Sequence, residues 1–197
     1  MIFATGNKHK LREMRELLPE LDLQSLPQGV ELPPEEGESF AEIALEKARA
    51  AHAATGEAAI GDDSGIEAAA LGGRPGIHSA RYGGPDATDE ENLDKLLREV
   101  AEAGDDRRAA YYCALALVDA GSERVFEARC EGRLIERPRG SGGFGYDPAF
   151  VPAATGSDDD RTMSELSQAE KNEISHRGLA ARLLARHLNL GGTPAGR

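Results

Sequence analysis

Residues 2–18 read IFATGNKHKLREMRELL, and this stretch decides how the chain begins to fold. The apolar run at 2–5 ends in Gly6-Asn7, which predicts a short buried strand followed by a tight turn. Leu or Met then recurs at 11, 14, 17 and 18 with helical spacing, until Pro19 ends the helix. The chain therefore opens as strand, turn and helix, an order typical of α/β proteins.

The following segments repeat the two kinds of element. We predict a strand at 21–26, a Pro/Glu/Gly loop at 27–37, and a helix at 39–55 that Gly56 ends. A short apolar run at 58–61 ends in an acidic turn at 62–65. Together these segments predict alternating strands and helices over the first sixty or so residues.

The middle of the chain is rich in strands. Thr88 and Glu91 form a capping box that opens a helix, and two long β-like runs lie at 109–120 and 124–137, separated by a turn. A last helix is expected at 175–190. We expect an α/β (mixed α+β) fold with a long central mixed sheet and flanking helices, in one domain over 1–190 with a flexible C-terminal tail at 191–197.

Composition narrows the classes of function. The 197 residues include 23 Lys or Arg and 35 Asp or Glu, a formal net charge of −12, which argues against a nucleic-acid partner. The most apolar stretch, at 109–118, is too short to span a bilayer, and no signal peptide is recognised. Cys113 and Cys130 are expected to be reduced thiols of a cytoplasmic protein. A small polyanionic ligand remains compatible with this charge if cations or a metal offset it locally.

The segment TGNKHK at 5–10 has the features of an anion site. Backbone N–H groups at a helix N-terminus, a glycine that permits close approach and nearby lysines together can hold phosphate oxygens. The alternative is an ordinary turn followed by solvated lysines.

The segment DDSG at 62–65 places two carboxylates side by side. Neighbouring residues of an extended chain point to opposite sides, so one carboxylate can ligate a metal while the other supports a different cation. Hard oxygen ligands suit Mg²⁺, and Glu35 or Glu36 could supply a further carboxylate. The alternative is a turn with solvated acids.

Two further segments carry candidate binding residues. The stretch 140–145 formally matches GxGxxG, but Pro148 opposes the long helix that a dinucleotide site requires, so we reject that interpretation. Phe144, flanked by glycines, could instead present its ring to a flat base, or pack as an ordinary core residue. His176 opens the last predicted helix, and the histidines show no zinc spacing.

Taken in order, six segments resemble the inosine triphosphate pyrophosphatase family, and the resemblance runs nearly end to end. The matching segments are TGNKHK at 5–10, GESFAEIALEK at 37–47, DDSG at 62–65, LGGRPGIHSARY at 71–82, GGFGYDP at 142–148 and EKNEISHR at 170–177. One departure is Ile43, where the family commonly has Asn.

The resemblance implies an activity, a cofactor and an assembly. It implies hydrolysis of non-canonical purine nucleoside triphosphates (ITP, dITP and XTP) at the α–β phosphoanhydride bond, which gives the monophosphate and pyrophosphate with Mg²⁺. It also implies two lobes around a nucleotide-binding cleft, and a homodimer.

The resemblance also implies roles for individual residues. Asp63 would be the general base and, with Glu35, a metal ligand, with Asp62 beside it. The residues implied to hold the triphosphate are Thr5, Gly6, Asn7, Lys8, His9, Lys10 and Lys47. Ser64 would touch the nucleotide. The residues implied to form the base pocket are Phe144, Gly145, Tyr146, Asp147, Lys171, His176 and Arg177. Ser79 and Arg81 would lie near the cleft.

Two other functions are compatible with these residue types. One is a general metal-dependent phosphatase or nuclease that uses the same carboxylates, and the other is a nucleotide-binding sensor without turnover. The reaction products separate them, since only the pyrophosphatase releases pyrophosphate and a monophosphate.

Overall fold

The structure is a computed structural model that describes residues 1–190, so the tail predicted at 191–197 lies outside the described residues. The strands are β1 (Ile2–Ala4), β2 (Gln24–Ser25), β3 (Ala59–Ala68), β4 (Arg108–Val118), β5 (Glu123–Leu134) and β6 (Phe150–Pro152). The α-helices are α1 (Lys8–Leu17), α2 (Phe40–Thr55), α3 (Asp89–Ala103), α4 (Gln168–Ile174) and α5 (His176–His187).

The described strands form a six-stranded sheet in the order β2-β1-β3-β4-β5-β6. Strand β1 pairs in parallel with both β2 and β3, whereas β5 and β6 pair antiparallel. The sheet therefore contains both parallel and antiparallel pairs, so it is mixed. The predicted α/β class, with a mixed sheet and flanking helices, is confirmed.

The described chain consists of two compact units. The first comprises Met1–Asp63, Cys113–Ala128 and the segment that begins at Arg177, and the second comprises Ser64–Tyr112 and Arg129–His176. The buried core of the first unit contains Phe3, Met14, Leu18, Leu23, Ile60, Cys113, Leu115, Leu117, Ala180, Ala181 and Leu184. The core of the second unit is built around Ile66, Leu93, Leu96, Val100, Tyr111, Leu134, Tyr146, Phe150 and Met163.

Local sequence signals correctly predicted both ends of α2 and the start of α3. Ser39 caps α2 by accepting a hydrogen bond from the Glu42 N–H, and Gly56 ends this helix in the left-handed region. Thr88 and Glu91 form the predicted capping box at the start of α3. These ends depend on side chains within a few residues of each other, so they can be read from the sequence.

The acidic turn predicted at 62–65 is wrong. Strand β3 continues through these four residues and ends at Ala68. Asp62 and Asp63 are buried, and each pairs with a positively charged side chain. The extended backbone can therefore bury both carboxylates without leaving a charge uncompensated. The strand predicted at 21–26 is also shorter than expected, since only Gln24–Ser25 pairs as β2.

Gly61 determines how closely α2 approaches β3. A Cβ atom added at Gly61 would lie only 1.9 Å from the Ala44 carbonyl oxygen of α2. A side chain of any size would therefore push the helix away from the strand. The close approach matters because Lys47, one turn further along α2, contacts Asp63 of β3.

Within residues 1–190, no helix combines the length and the apolar character that crossing a bilayer requires.

We predict that Gly61→Ala lowers the free energy of unfolding by about 2 kcal/mol or more, because the new methyl group meets helix backbone that cannot rotate away. Urea denaturation of the purified variant measures this change. Gly121→Ala is the matched control: its Cβ would have no neighbour closer than 3.9 Å, so a change of less than about 0.5 kcal/mol is expected. Equal effects at the two glycines would contradict this account of the contact between α2 and β3.

Candidate functional site

Buried charged side chains gather in each of the two units. In the first unit they surround Asp62 and Asp63, which are adjacent on β3. Because successive side chains of a strand point to opposite faces, the two carboxylates meet different partners.

Asp62 is completely buried and contacts two cations. Its Oδ1 lies 2.5 Å from Lys10 Nζ, and its Oδ2 accepts a hydrogen bond from Arg177 Nε at 2.8 Å. Arg177, at 1% exposure, also donates from Nη1 to Glu13 Oε2 at 2.7 Å. Burial opposes ionisation of Asp62, but the charges of Arg177 and Lys10 outweigh it and hold the pKa of this carboxyl well below its usual range.

The four side chains of this cluster balance in charge. Lys10 and Arg177 are positive, and Glu13 and Asp62 are negative, so the formal charges cancel. Cys113 Sγ lies 3.7 Å from Asp62 Oδ2, and burial raises the pKa of this thiol well above its ordinary value. The ion pairs therefore join α1, β3 and the start of α5, and Cys113 adds a thiol contact from β4.

Asp63 belongs to a second cluster around Lys47. Lys47 Nζ donates to Asp63 Oδ1 at 2.8 Å and to Glu35 Oε1 at 2.5 Å. One cation thus pairs with two carboxylates, and the nearby charge of Lys10 also favours the ionised form of Asp63. Burial raises the pKa of Asp63; although burial opposes the charge on Lys47, the neighbouring Asp63 carboxylate raises the pKa of this ammonium group.

Asp63 also has an oxygen available for other chemistry. Its Oδ2 is buried and has no hydrogen-bond partner among residues 1–190. An unpaired buried carboxylate oxygen is costly unless something binds it, so such an atom is expected to meet a water or a cation. Glu35, rather than Glu36, shares Lys47 with Asp63; the Glu36 side chain is exposed.

The loop before α1 is arranged around Asn7. The Asn7 side chain caps the helix by accepting hydrogen bonds from the backbone N–H groups of His9 and Lys10, while Thr5 Oγ1 accepts from the Asn7 N–H. An anion would thus compete with Asn7 for the two capped N–H groups. Lys8 is exposed and adds positive charge beside this turn.

In the second unit, Asp147 is the centre of a buried polar group. Its Oδ2 accepts from Lys171 Nζ at 2.7 Å and from the Phe144 N–H at 3.0 Å. Its Oδ1 accepts from the Tyr111 hydroxyl at 3.1 Å, and the Tyr111 ring stacks on His176 with centroids 4.5 Å apart. Lys171 Nζ also lies 5.0 Å from the centre of the half-buried Phe144 ring.

The glycine-rich loop at 142–145 closes tightly over Asp147. A Cβ atom at Gly143 would meet Asp147 Oδ2 at 2.1 Å, and the residue has a positive φ of 70°. The loop is also held by the Gly145 N–H, which donates to Asp89 Oδ2 at 2.8 Å. Gly143 therefore permits the close approach of the loop to the Asp147 carboxylate.

The remaining predicted residues lie in the second unit. Tyr146 donates its hydroxyl to the Ser79 carbonyl at 2.7 Å, and Ser79 Oγ in turn accepts from the Ile66 N–H. Ser64 is half-buried on β3, directly after Asp63, and Arg81 is half-buried at the end of a short 3₁₀ helix.

The structure thus places the predicted residues in two sets. The triphosphate and metal candidates Lys10, Lys47, Glu35 and Asp63 share the first unit with Arg177, which the resemblance assigns to the base pocket. The described ion pairs of Arg177 are with Asp62 and Glu13 of that same unit. The other base-pocket candidates belong to the second unit.

Sequence reasoning missed two residues of these clusters. Glu13 has a local signal, because it lies three residues after Lys10 and so shares a helix face with it. Tyr111 stands in the strand sequence RAAYYCALALV, where it has the pattern of an ordinary buried strand residue.

Comparison with known proteins identifies the family. A family model described as the Ham1 family matches residues 1–187. The chain belongs to the Ham1 family. It is 46% identical over 192 residues to a protein named dITP/XTP pyrophosphatase from Mycolicibacterium paratuberculosis, covering 93% of each chain. A protein of the same name from Geobacter sulfurreducens is 43% identical, with 95% of this chain and 96% of that protein covered.

A solved structure supports the fold of this Ham1 family member. The structure of a HAM1 protein from Coxiella burnetii matches with a TM-score of 0.85 at 40% sequence identity, covering 95% of this chain and 97% of that one. The family resemblance drawn from the six sequence segments is thereby confirmed.

We predict that Asp62→Asn lowers the free energy of unfolding by about 3–5 kcal/mol at pH 7, because it leaves buried cations without their full counter-charge. The folded-state pKa of Asp62 is depressed, so its stabilisation is present above the unfolded-state pKa of about 3.9 and is lost as pH falls below it. The difference between wild type and variant should therefore narrow from pH 5 to pH 3.

Urea denaturation at several pH values checks this prediction. The exposed Asp105→Asn is the matched control, and a change of less than about 0.5 kcal/mol is expected for it. A difference between wild type and Asp62→Asn that does not depend on pH would contradict the role of Asp62 as an ionised, buried partner.

Proposed function

We propose that this protein hydrolyses non-canonical purine nucleoside triphosphates (ITP, dITP and XTP) at the α–β phosphoanhydride bond, releasing the monophosphate and pyrophosphate. The observation that carries the proposal is the nearly full-length identity of 43–46% to proteins named dITP/XTP pyrophosphatase. Further support comes from the residue types present: the carboxylates and lysines around Asp63 suit a metal and phosphates, and the polar group around Asp147 suits a base. Removing these nucleotides would cleanse the nucleotide pool.

Mg²⁺ is the metal we propose for this reaction, with Asp63 and Glu35 as its protein ligands. No group of three or more His, Cys, Asp or Glu suited to a metal is found among residues 1–190. A site with two carboxylates still fits Mg²⁺, because this ion usually takes one or two carboxylates and completes its shell with water and substrate phosphates. The buried Oδ2 of Asp63, which has no partner among the described residues, is the donor atom that supports the fit. When bound, Mg²⁺ would neutralise phosphate charge and polarise the phosphate oxygens.

Asp63 is the residue that we propose as general base. Burial raises its pKa, which brings its basicity closer to what proton transfer near neutral pH requires. Lys47 holds Oδ1 of this carboxylate, and Oδ2 has two lone-pair sites, so one could face the metal while the other accepts a proton from the attacking water. Lys47 would also offer its positive charge to a phosphate oxygen, since phosphoryl chemistry depends mainly on positioning and charge neutralisation.

The turn that precedes α1 is proposed to hold phosphate oxygens. Lys8 is exposed there, and a Cβ at Gly6 would meet nothing within 4 Å, so the backbone at this turn is open to a ligand. Lys10 adds charge from a half-buried position beside Asp62. The set proposed here comprises Thr5, Gly6, Asn7, Lys8, His9 and Lys10.

The base is proposed to be read by residues of the second unit, with Arg177 of the first unit as the one exception among the candidates. Phe144 offers a half-buried ring beside the Lys171 ammonium group, a combination suited to stacking on a purine. Inosine and xanthosine carry a 6-keto acceptor where adenine carries a 6-amino donor, so donors such as His176 or backbone N–H groups would favour the keto purines. A mismatched buried polar pair is enough for about a hundred-fold discrimination. The base-side set also includes Ser64, Gly145, Tyr146 and Asp147, together with Arg177 as implied by the resemblance.

Assembly and location are further parts of the proposal. We propose that the protein forms a homodimer, as the family resemblance implies. We also propose that it works in the cytoplasm, because its two cysteines are expected to be reduced thiols. Cys113 and Cys130 are both buried and not joined to each other, and burial raises the pKa of Cys130 to about 12. Sedimentation of the purified protein would test the dimer.

A panel of substrates decides among the three candidate functions. Wild-type protein with Mg²⁺ should release pyrophosphate and monophosphate from dITP, ITP and XTP, about a hundred-fold or more faster than from ATP, whose base lacks the 6-keto acceptor. A chelator should stop the release, and added Mg²⁺ should restore it. Release of orthophosphate alone would indicate a phosphatase, and binding of ITP without any product would indicate a sensor.

We predict that Asp63→Asn folds normally, since Lys47 keeps Glu35 as a partner, but loses turnover of dITP by about 10²–10⁴-fold. Pyrophosphate release at saturating dITP measures the loss, and thermal denaturation verifies the fold. Glu36→Gln is the matched control, because the exposed Glu36 lies next to Glu35 in the chain, and its turnover should stay within about twofold of wild type. A wild-type rate in Asp63→Asn would remove Asp63 from its proposed role.

A further inference from the structure

Tyr111 links two residues of the base-side group. It lies on β4 and is buried, with 6% exposure. Its hydroxyl donates to Asp147 Oδ1 at 3.1 Å, and its ring lies nearly parallel to His176, with an interplanar angle of 5°. Phe150 supports the same ring from its edge, with centroids 4.8 Å apart.

The Tyr111 hydroxyl stabilises the buried charge of Asp147. Asp147 is a buried carboxylate whose Oδ2 already accepts from Lys171 and from the Phe144 N–H. A buried carboxylate needs donors on both oxygens to keep one orientation, and Tyr111 supplies a donor to Oδ1. Through Asp147, this hydroxyl helps to fix the position of Lys171 Nζ, which faces the Phe144 ring.

The Tyr111 hydroxyl stays protonated. Burial, followed by the nearby charge of Asp147, raises the pKa of the Tyr111 hydroxyl well above its ordinary value. The group therefore remains a donor at every pH at which the enzyme is expected to work.

The ring contact restricts His176 in a second way. A stacked neighbour at 4.5 Å leaves the imidazole little freedom to rotate out of its plane. The orientation of the ring nitrogens of His176 is thus set partly by Tyr111, and hydrogen bonding to a purine edge depends strongly on that orientation.

We propose that Tyr111 is a positioning residue for base recognition: its hydroxyl fixes the Asp147–Lys171 pair and its ring fixes His176. The inference rests on the proposed function, because it assumes that these residues read the purine. A phenylalanine would fill the same core volume and could stack equally well, so apolar packing alone does not account for the hydroxyl.

Two variants separate the two contacts. Tyr111→Phe removes the hydroxyl and keeps the stacking ring, whereas Tyr111→Leu removes both. We expect KM for dITP and XTP to rise about tenfold in Tyr111→Phe and about a hundred-fold in Tyr111→Leu, corresponding to about 1.4 and 2.8 kcal/mol. In Tyr111→Phe, kcat should stay within about twofold, since the proposed catalytic groups are not touched.

Selectivity and triphosphate binding supply the readouts that a packing role would not move. The ratio of kcat/KM for dITP to that for dATP should fall at least about fivefold in Tyr111→Phe. The inhibition constant of inorganic tripolyphosphate should not change, because this probe has no base. Tyr112→Phe is the matched control: it removes a hydroxyl from the next residue of β4, on the opposite strand face, and should leave KM and the ratio unchanged.

The outcomes distinguish the inference from the function on which it rests. If wild-type protein releases no pyrophosphate from dITP or XTP, the proposed function fails. If wild type is active and Tyr111→Phe keeps its KM and its selectivity, Tyr111 is not a positioning residue. A fall in kcat for all substrates alike, at constant KM and with a lowered melting temperature, would assign Tyr111 to packing alone and would also overturn the inference.

Discussion

A carboxylate removed from water must find positive charge or hydrogen-bond donors within the protein, and Asp62 meets this need through Lys10 and Arg177. The attachment of α1 and α5 to β3 in the first unit depends on these ion pairs. Arg177 is itself buried and requires Glu13 as well as Asp62, so the ion pairs tie two helices to the middle of β3. An isolated charge in any of these positions would be strongly destabilising, and the charges are tolerated because they occur as a set.

The geometry of β3 gives the neighbouring residues Asp62 and Asp63 different surroundings. Asp62 and Asp63 are neighbours in the chain, but they have different partners, since adjacent strand residues point to opposite sides. Asp62 is saturated by its cations, whereas Asp63 shares one lysine with Glu35 and keeps a buried oxygen without a partner in the described chain. One carboxylate is thereby committed to holding the unit together, and its neighbour remains available for a reaction.

The fold class and the ends of several helices could be predicted from sequence because their causes are local. Ser39 and Thr88 cap their helices through residues three positions away, and such pairs are visible in the sequence. The extended backbone at Asp62 was mistaken for a turn because its stabilising partner, Arg177, lies 115 residues further along the chain. Tyr111 was missed for the same reason: its hydroxyl meets a carboxylate 36 residues away, and nothing in a run of apolar strand residues indicates this contact. The candidate site residues could be chosen from the sequence by residue type, but which of them pair with each other could not be predicted.

The same long separation constrains how the protein is made. On a ribosome that adds about 5–20 residues per second, Asp62 is incorporated into the chain roughly six to twenty-three seconds before Arg177. During that interval the nascent first unit lacks the Arg177 guanidinium group that pairs with this carboxylate. Burial of Asp62 is then unfavourable, so we expect the segment around β3 to stay hydrated and unpacked. Completion of the first unit thus awaits α5, the last helix among residues 1–190, and a nascent chain interrupted before α5 would lack the charge balance on which this unit depends.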